Sequence, residues 1–236
     1  MTTAHSTDGW TAAVRQRLSV GRLLPLGTAA DGTWLAERAA ASELRCVAAR
    51  VPGAALGPLR LGLVDPDAAG APAAPLPPSA LPPGQLRIEG DFAAEPGEPL
   101  QAVAERLRGV LFDCAVDRLG LLVAEVDLRV TALLDRADAA EKSSAPTGPM
   151  EVEPAAPQGE AALAAAVVPG VACLTEALGS ALVVAADHVS VELATAAGYR
   201  PLEVARVVRE TVAASLPGAP PVAVLITAVG VTTRRR

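Results

Sequence analysis

At 236 residues, half of them apolar but only 2% aromatic, the chain has room for one or two domains with thin cores of Ala, Val and Leu. The net charge is −6, and both halves are acidic: 9 basic against 14 acidic groups in residues 33–135, and 3 against 6 in residues 160–230. That balance argues against a phosphate-binding surface, which needs clustered Lys or Arg. Three cysteines without CxxC spacing exclude a disulfide framework and suit a reducing compartment, where each serves as a small buried hydrophobe.

The first nine residues are polar. They carry no basic segment leading into an apolar run, so a secretory signal is not expected. Residues 10–24 follow with helical spacing. Trp10, Val14 and Leu18 line one face, and Pro25 and Gly27 end the helix. Residues 1–32 are thus expected to form an N-terminal amphipathic segment. Its apolar face either caps the core or hooks a membrane surface or partner.

Residues 33–135 read as a first α+β unit. Its opening helix, Trp34 to Ala49, is rich in Ala, Glu and Arg and is stopped by Val51-Pro52-Gly53. Leu59 to Val64 alternates as a strand. Seven prolines between Asp65 and Gly84 exclude regular structure, so an exposed, dispensable loop is expected over 65–84. Gln85 to Ala93 is the returning strand. A helix opened by Pro99 buries Leu100, Val103, Leu107 and Leu111, and Leu121 to Leu134 supplies a last strand.

Residues 136–159 hold four prolines and few bulky side chains, which predicts a disordered linker. Residues 160–233 then repeat the pattern in shorter form. A helix over Glu160 to Val167 meets a second stop, Val168-Pro169-Gly170. Strands Ala181 to Ala186 and Val189 to Ala196 join through a tight turn at Asp187-His188. A helix opened by Pro201 buries Leu202, Ala205, Val208 and Val212, and a strand runs from Val222 to Val231. The expected fold class is α+β: two tandem α-β-β-α-β units, each a three-stranded sheet with helices on one face. The opposite face of each sheet is left for another surface to cover, so pairing between units or between chains is expected.

The second unit resembles the alkaline-shock-protein family, the bacterial envelope-stress group that includes the Gls proteins. The residues that carry the resemblance are Val168-Pro169-Gly170-Val171, Leu182-Val183-Val184, Val189-Ser190-Val191-Glu192-Leu193, Gly198, Pro201-Leu202-Glu203-Val204-Ala205, Val208-Arg209 and the terminal Val-rich strand. The first unit is a more distant version, with Ala102-Val103-Ala104 in place of Glu203-Val204-Ala205. The resemblance implies a non-enzymatic, self-associating cytoplasmic protein, held peripherally at the inner face of the membrane by a membrane-associated partner. It implies no catalytic residue.

The chemistry-bearing residues agree with that implication. His5 and His188 have no third ligand at metal spacing, so no metal site is expected. Ser143, Ser144 and Ser190 lack a His partner in a nucleophile elbow. Glu89 and Asp91 share a strand face at i, i+2 and read as a solvated face more readily than as an acid–base pair. Glu203 with Arg206 reads as a surface pair. No GxxxxGK[ST] or GxGxxG follows a strand, so no nucleotide cofactor is expected. Arg234, Arg235 and Arg236 form a basic tail able to touch an anionic surface or to solubilise the end. No run of apolar residues is long enough to span a bilayer.

Candidate interaction residues are therefore Trp10, Val14, Leu18 and the three terminal arginines, and no catalytic, cofactor or metal residue is assigned. The leading functional expectation is a self-associating scaffold. The alternatives are a KH-like nucleic-acid module, which needs a GXXG loop with basic flanks, and an enzyme with an unrecognised site.

Overall fold

In a computed structural model, residues 20–134 and 152–232 are described. Trp10, Val14, Leu18, the terminal arginines and most of the expected linker lie outside them. The described chain is mixed α+β. Its strands are β1 (Leu23–Pro25), β2 (Thr33–Ala36), β3 (Ala54–Leu63), β4 (Leu86–Ala94), β5 (Val123–Leu133), β6 (Val171–Leu174), β7 (Leu182–Val184), β8 (Val189–Ala196) and β9 (Val222–Val231). The helices are α1 (Glu37–Ala48), α2 (Leu100–Asp113), α3 (Glu160–Ala166) and α4 (Pro201–Ala214), and a π-helical turn, Cys114–Leu119, extends α2.

The strands form two sheets, one of three strands in the order β3-β4-β5 and one of six. In the smaller sheet β3 and β4 are antiparallel, α2 crosses over, and β5 runs parallel to β4. In the larger sheet β6 and β7 are both antiparallel to β8, α4 crosses over, and β9 runs parallel to β8. The larger sheet departs from the three strands expected of it because the N-terminal hairpin β1-β2 joins it and β6 adds a further strand. β2 pairs parallel with β9, Thr33 to Leu35 against Val224 to Ile226.

This placement corrects the expected helix of residues 10–24 at its end, where Leu23–Pro25 is strand. It also corrects the expected helix start at Trp34, because the helix begins at Glu37. Both misreadings have one cause. Leu23, Leu24, Trp34 and Leu35 are fully buried on two sides, and such runs carry no period-2 alternation to mark them as strands. The short strand β6 was missed for a related reason, since four residues cannot display a period.

The two Val-Pro-Gly stops behave as read. α1 and α3 end just before them, and Gly53 and Gly170 have φ of +75° and +93°.

α1 packs on β2 and β9 of the larger sheet and on β3 of the smaller. The buried side chains of both sheets consequently form one continuous core. β8 and β9 are buried along most of their length on both faces. The expected uncovered apolar face is therefore not present on this sheet. Residues in register share a face, so Trp34, Leu225 and Glu192 stand in one row. Loops reach this row from both sides. The Trp34 indole N–H donates to Leu81 O at 3.2 Å, and the Leu178 N–H donates to Glu192 Oε2 at 3.0 Å.

The proline-rich loop is irregular, as expected, but not free. Leu23 N–H donates to Ser79 O, Leu81 N–H donates to Leu23 O, and Ala73 N–H donates to Ala29 O. The loop thereby closes the outer edge of β1, and its own Ala74 is buried against the rest of the chain. At the opposite edge, Ala155 bridges to Leu174. Part of the segment expected to be a disordered linker is thus docked.

A carboxylate clamps the hairpin to α4. Asp31, 6% exposed, receives Arg206 Nε at 2.8 Å and Nη2 at 3.2 Å, together with the Thr28 N–H at 2.6 Å and its hydroxyl at 2.8 Å. Arg209 donates to the Ala30 and Asp31 carbonyls from the next turn of α4. Close beside this clamp, Gly120 has φ +91°, and a Cβ there would fall 2.5 Å from Leu202 Cβ. Glycine is required both by the backbone conformation and by the approach of α4.

Two outcomes follow. Replacing residues 65–84 with a two-residue turn leaves the Trp34 indole N–H and the β1 edge without partners. Unfolding in urea should show a loss of roughly 2–4 kcal/mol, and no loss would mean the loop contacts are idle.

For Asp31, burial pushes the carboxyl upward, but the hydrogen bonds from Arg206 and Thr28 outweigh it and hold the group below its ordinary value. A depressed folded value contributes stability above the unfolded value of about 3.9, and that stability is lost as pH falls through the folded value. Asp31→Asn should therefore cost about 2 kcal/mol near neutrality, with the gap to the parent chain closing below about pH 4. Denaturant midpoints across a pH series measure this.

Candidate interaction surface

The alternation of β4 and β5 sorts their side chains by face. Leu86, Ile88, Phe92 and Val126 turn toward the helices and are buried. Arg87, Glu89 and Asp91 of β4 turn the other way, as do Glu125, Asp127 and Arg129 of β5. They pair in register as Arg87 with Glu125, Glu89 with Asp127, and Asp91 with Arg129, while Arg60 of β3 stands opposite Glu89. The sheet face expected to be covered by another surface is a charged lattice.

Within that lattice Arg87 serves three carboxylates, lying 2.5 Å from Glu125, 3.4 Å from Asp127 and 3.9 Å from Glu89. Arg129 forks onto Asp91 at 2.9 and 3.0 Å, and this hydrogen bond is the main cause that holds the Asp91 carboxyl below its usual range. Glu89 is well exposed, with 59% of its side chain in solvent, which fits its solvated reading, whereas Asp91 is 25% exposed and held by Arg129. A shallow depression of about 530 Å³ crosses this face, lined by Arg60, Glu89, Asp91, Arg108, Asp127 and Arg129. Its mixed signs leave no cationic track for a nucleic-acid backbone.

An exposed sheet edge presents unpaired N–H and C=O groups, so each edge needs an account. Pro58 and a bulge between Leu56 and Leu59 interrupt the edge of β3. At Leu61 the Arg22–Glu37 ion pair satisfies both backbone groups: Arg22 Nη2 donates to the carbonyl at 2.6 Å, and the N–H donates to Glu37 Oε1 at 3.3 Å. β1 is closed by the proline-rich loop, β6 by Ala155, and β9 by β2, while β7, only three residues long, leaves Val183 and Val184 exposed at its edge.

β5 differs. It is the longest strand, at 11 residues. Arg108 Nε, reaching from α2, donates to Val126 O at 3.0 Å. Leu122, Val130 and Leu133 on this segment are exposed, Leu133 by 64%, as are Leu100 and Phe112 of α2. Leu100, Ala104, Arg108 and Phe112 recur every four residues, so they lie along the flank of α2 that reaches the β5 edge.

The other chemistry-bearing residues stay apart. His188 sits at the β7-β8 turn with Nδ1 2.7 Å from Asp187. Glu203 pairs with both Arg200 and Arg206 at 3.2 Å, as a surface pair. Among the described residues no group of three or more His, Cys, Asp or Glu is placed to hold a metal ion, and no helix is long and apolar enough to cross a membrane. The β5 edge and the α2 flank were not singled out from the sequence. The available signal was the exposed position of Leu100 and Phe112 on a helix whose buried stripe is Val103, Leu107 and Leu111. The sequence reading had instead put Leu100 in that stripe. The chain matches no protein-family model, no curated protein and no solved structure.

Burial pushes the Cys114 thiol up to about 11. The thiolate is the nucleophile, so native Cys114 should resist iodoacetamide at about pH 8 and react only once the chain is unfolded. Mass spectrometry of the labelled peptides checks this, and labelling of Cys114 in the folded protein would contradict it.

Proposed function

We propose that this protein is a non-enzymatic scaffold of the envelope-stress type, built from two α-β-β-α-β units and working by self-association together with a membrane-associated partner. The observation that carries the reading is the contrast between two corresponding edges. β9 and β5 each follow a crossover helix and each run parallel to the strand before it. The far edge of β9 is filled by β2, whereas among the described residues the far edge of β5 meets only the Arg108 side chain and is flanked by exposed Leu, Val and Phe. A vacant strand position beside apolar side chains suits binding of another chain better than chemistry on a small molecule. The resemblance of residues 160–231 to the alkaline-shock-protein family points the same way.

Sedimentation velocity of the full chain across a concentration series tests this. The expected result is a weight-average mass above the 23.8 kDa of one chain that rises with concentration. A mass that stays at one chain throughout would remove self-association and with it the scaffold reading.

A further inference from the structure

Resting on the self-association reading, we propose that two copies of this chain join edge to edge through β5, antiparallel, about a two-fold axis at Leu128. A two-fold contact must be self-complementary, with residue i meeting j and j meeting i. The regular stretch of β5, where pairing with β4 is unbroken, runs from Glu125 to Val130. Centring the axis on Asp127 or Arg129 sets that residue against its own copy, and centring it on Val126 sets Glu125 against Asp127. Like charges directly opposite are destabilising. Centring on Leu128 sets Asp127 against Arg129 twice, Val126 against Val130 twice, and Leu128 against itself. Centring on Val130 also avoids like charges, but it sets Arg129 against Thr131 and Asp127 against Leu133, beyond the unbroken stretch; Leu128 is the centre that sets opposite charges face to face with no like pair.

The surrounding charges favour the same arrangement. Arg87 alone is shared among Glu89, Glu125 and Asp127. An Arg129 arriving from the second copy brings another cation to that acidic set. It arrives already oriented by Asp91. The backbone groups that face outward gain partners, and Arg108 yields its hold on Val126 O to the Val130 N–H of the other copy. The result is one continuous six-stranded sheet, with the Leu100–Arg108–Phe112 flank of α2 brought beside its copy.

Charge reversal distinguishes this pairing from any other mode of association. Asp127→Arg sets Arg against Arg129 at two places, and Arg129→Asp sets Asp against Asp127 at two places. Each variant alone should dimerise at least about tenfold more weakly than the parent chain by sedimentation equilibrium. Mixed together, the two variants restore opposite charges at both places and should form a heterodimer. The double variant Asp127→Arg/Arg129→Asp should dimerise again. Should a variant fail to fold, backbone hydrogen exchange over residues 125–131 of the parent chain gives a second measure, and it should slow as concentration rises.

Variants that dimerise like the parent, or a mixture that stays monomeric, overturn pairing through β5 while leaving self-association standing. Unchanged exchange over 125–131 in a chain that does associate does the same. A parent chain that is monomeric at every concentration overturns both.

Discussion

The parallel pairing of β2 with β9 is the contact on which the rest of the molecule depends. It joins residues 33–35 to residues 224–226, nearly the full length of the chain apart. Trp34, the largest fully buried side chain, sits on β2, and α1 begins three residues after it. Once β2 is in place, α1 is held between the larger sheet and β3 of the smaller one, so a single core serves both sheets. A core poor in aromatic residues gains from this sharing, because a small sheet with one layer of helices buries a low fraction of its surface.

Around that pairing the structure closes sheet edges by unlike means. A proline-rich loop closes β1, an ion pair satisfies Leu61 on β3, an extended segment bridges to β6, and Arg108 reaches over β5. The Arg108 contact differs in kind from the backbone partners at β1 and β6. A single long side chain can move aside at the cost of one hydrogen bond, worth about 1 kcal/mol net, whereas a backbone partner requires a segment to rearrange. β5 is therefore a long edge whose protection is easily exchanged for a partner strand, whereas β7 spans only three residues and β3 is broken by Pro58 and a bulge.

The charged outer face of the smaller sheet gives that edge its selectivity. Ion pairs on an exposed surface contribute little to the stability of one chain. Their arrangement still decides which register a partner strand can take, because moving the two-fold axis by one residue sets Asp127 or Arg129 against its own copy. Stability of the chain comes from the shared core and from the Asp31–Arg206 clamp, where the carboxylate is shielded from solvent.

What the sequence determined was local. The helix stops at Gly53 and Gly170, the strands β4, β8 and β9, the buried stripe of α4 and most of that of α2, and the irregular path of residues 65–84 all follow from φ preferences, missing proline N–H groups and short-range periodicity. Tertiary structure alone decided that residues 23–25 and 33–36 are strands, that the loop of seven prolines lies against Trp34 and Leu23, and that the charged residues of β4 and β5 form one lattice. It also decided that the longest described strand, β5, kept its far edge without a backbone partner among the described residues. Leu23-Leu24 and Trp34-Leu35 are apolar runs too short to declare a period. Their conformation is set by β9, a strand nearly two hundred residues later, and a partner that distant leaves no mark in the local pattern.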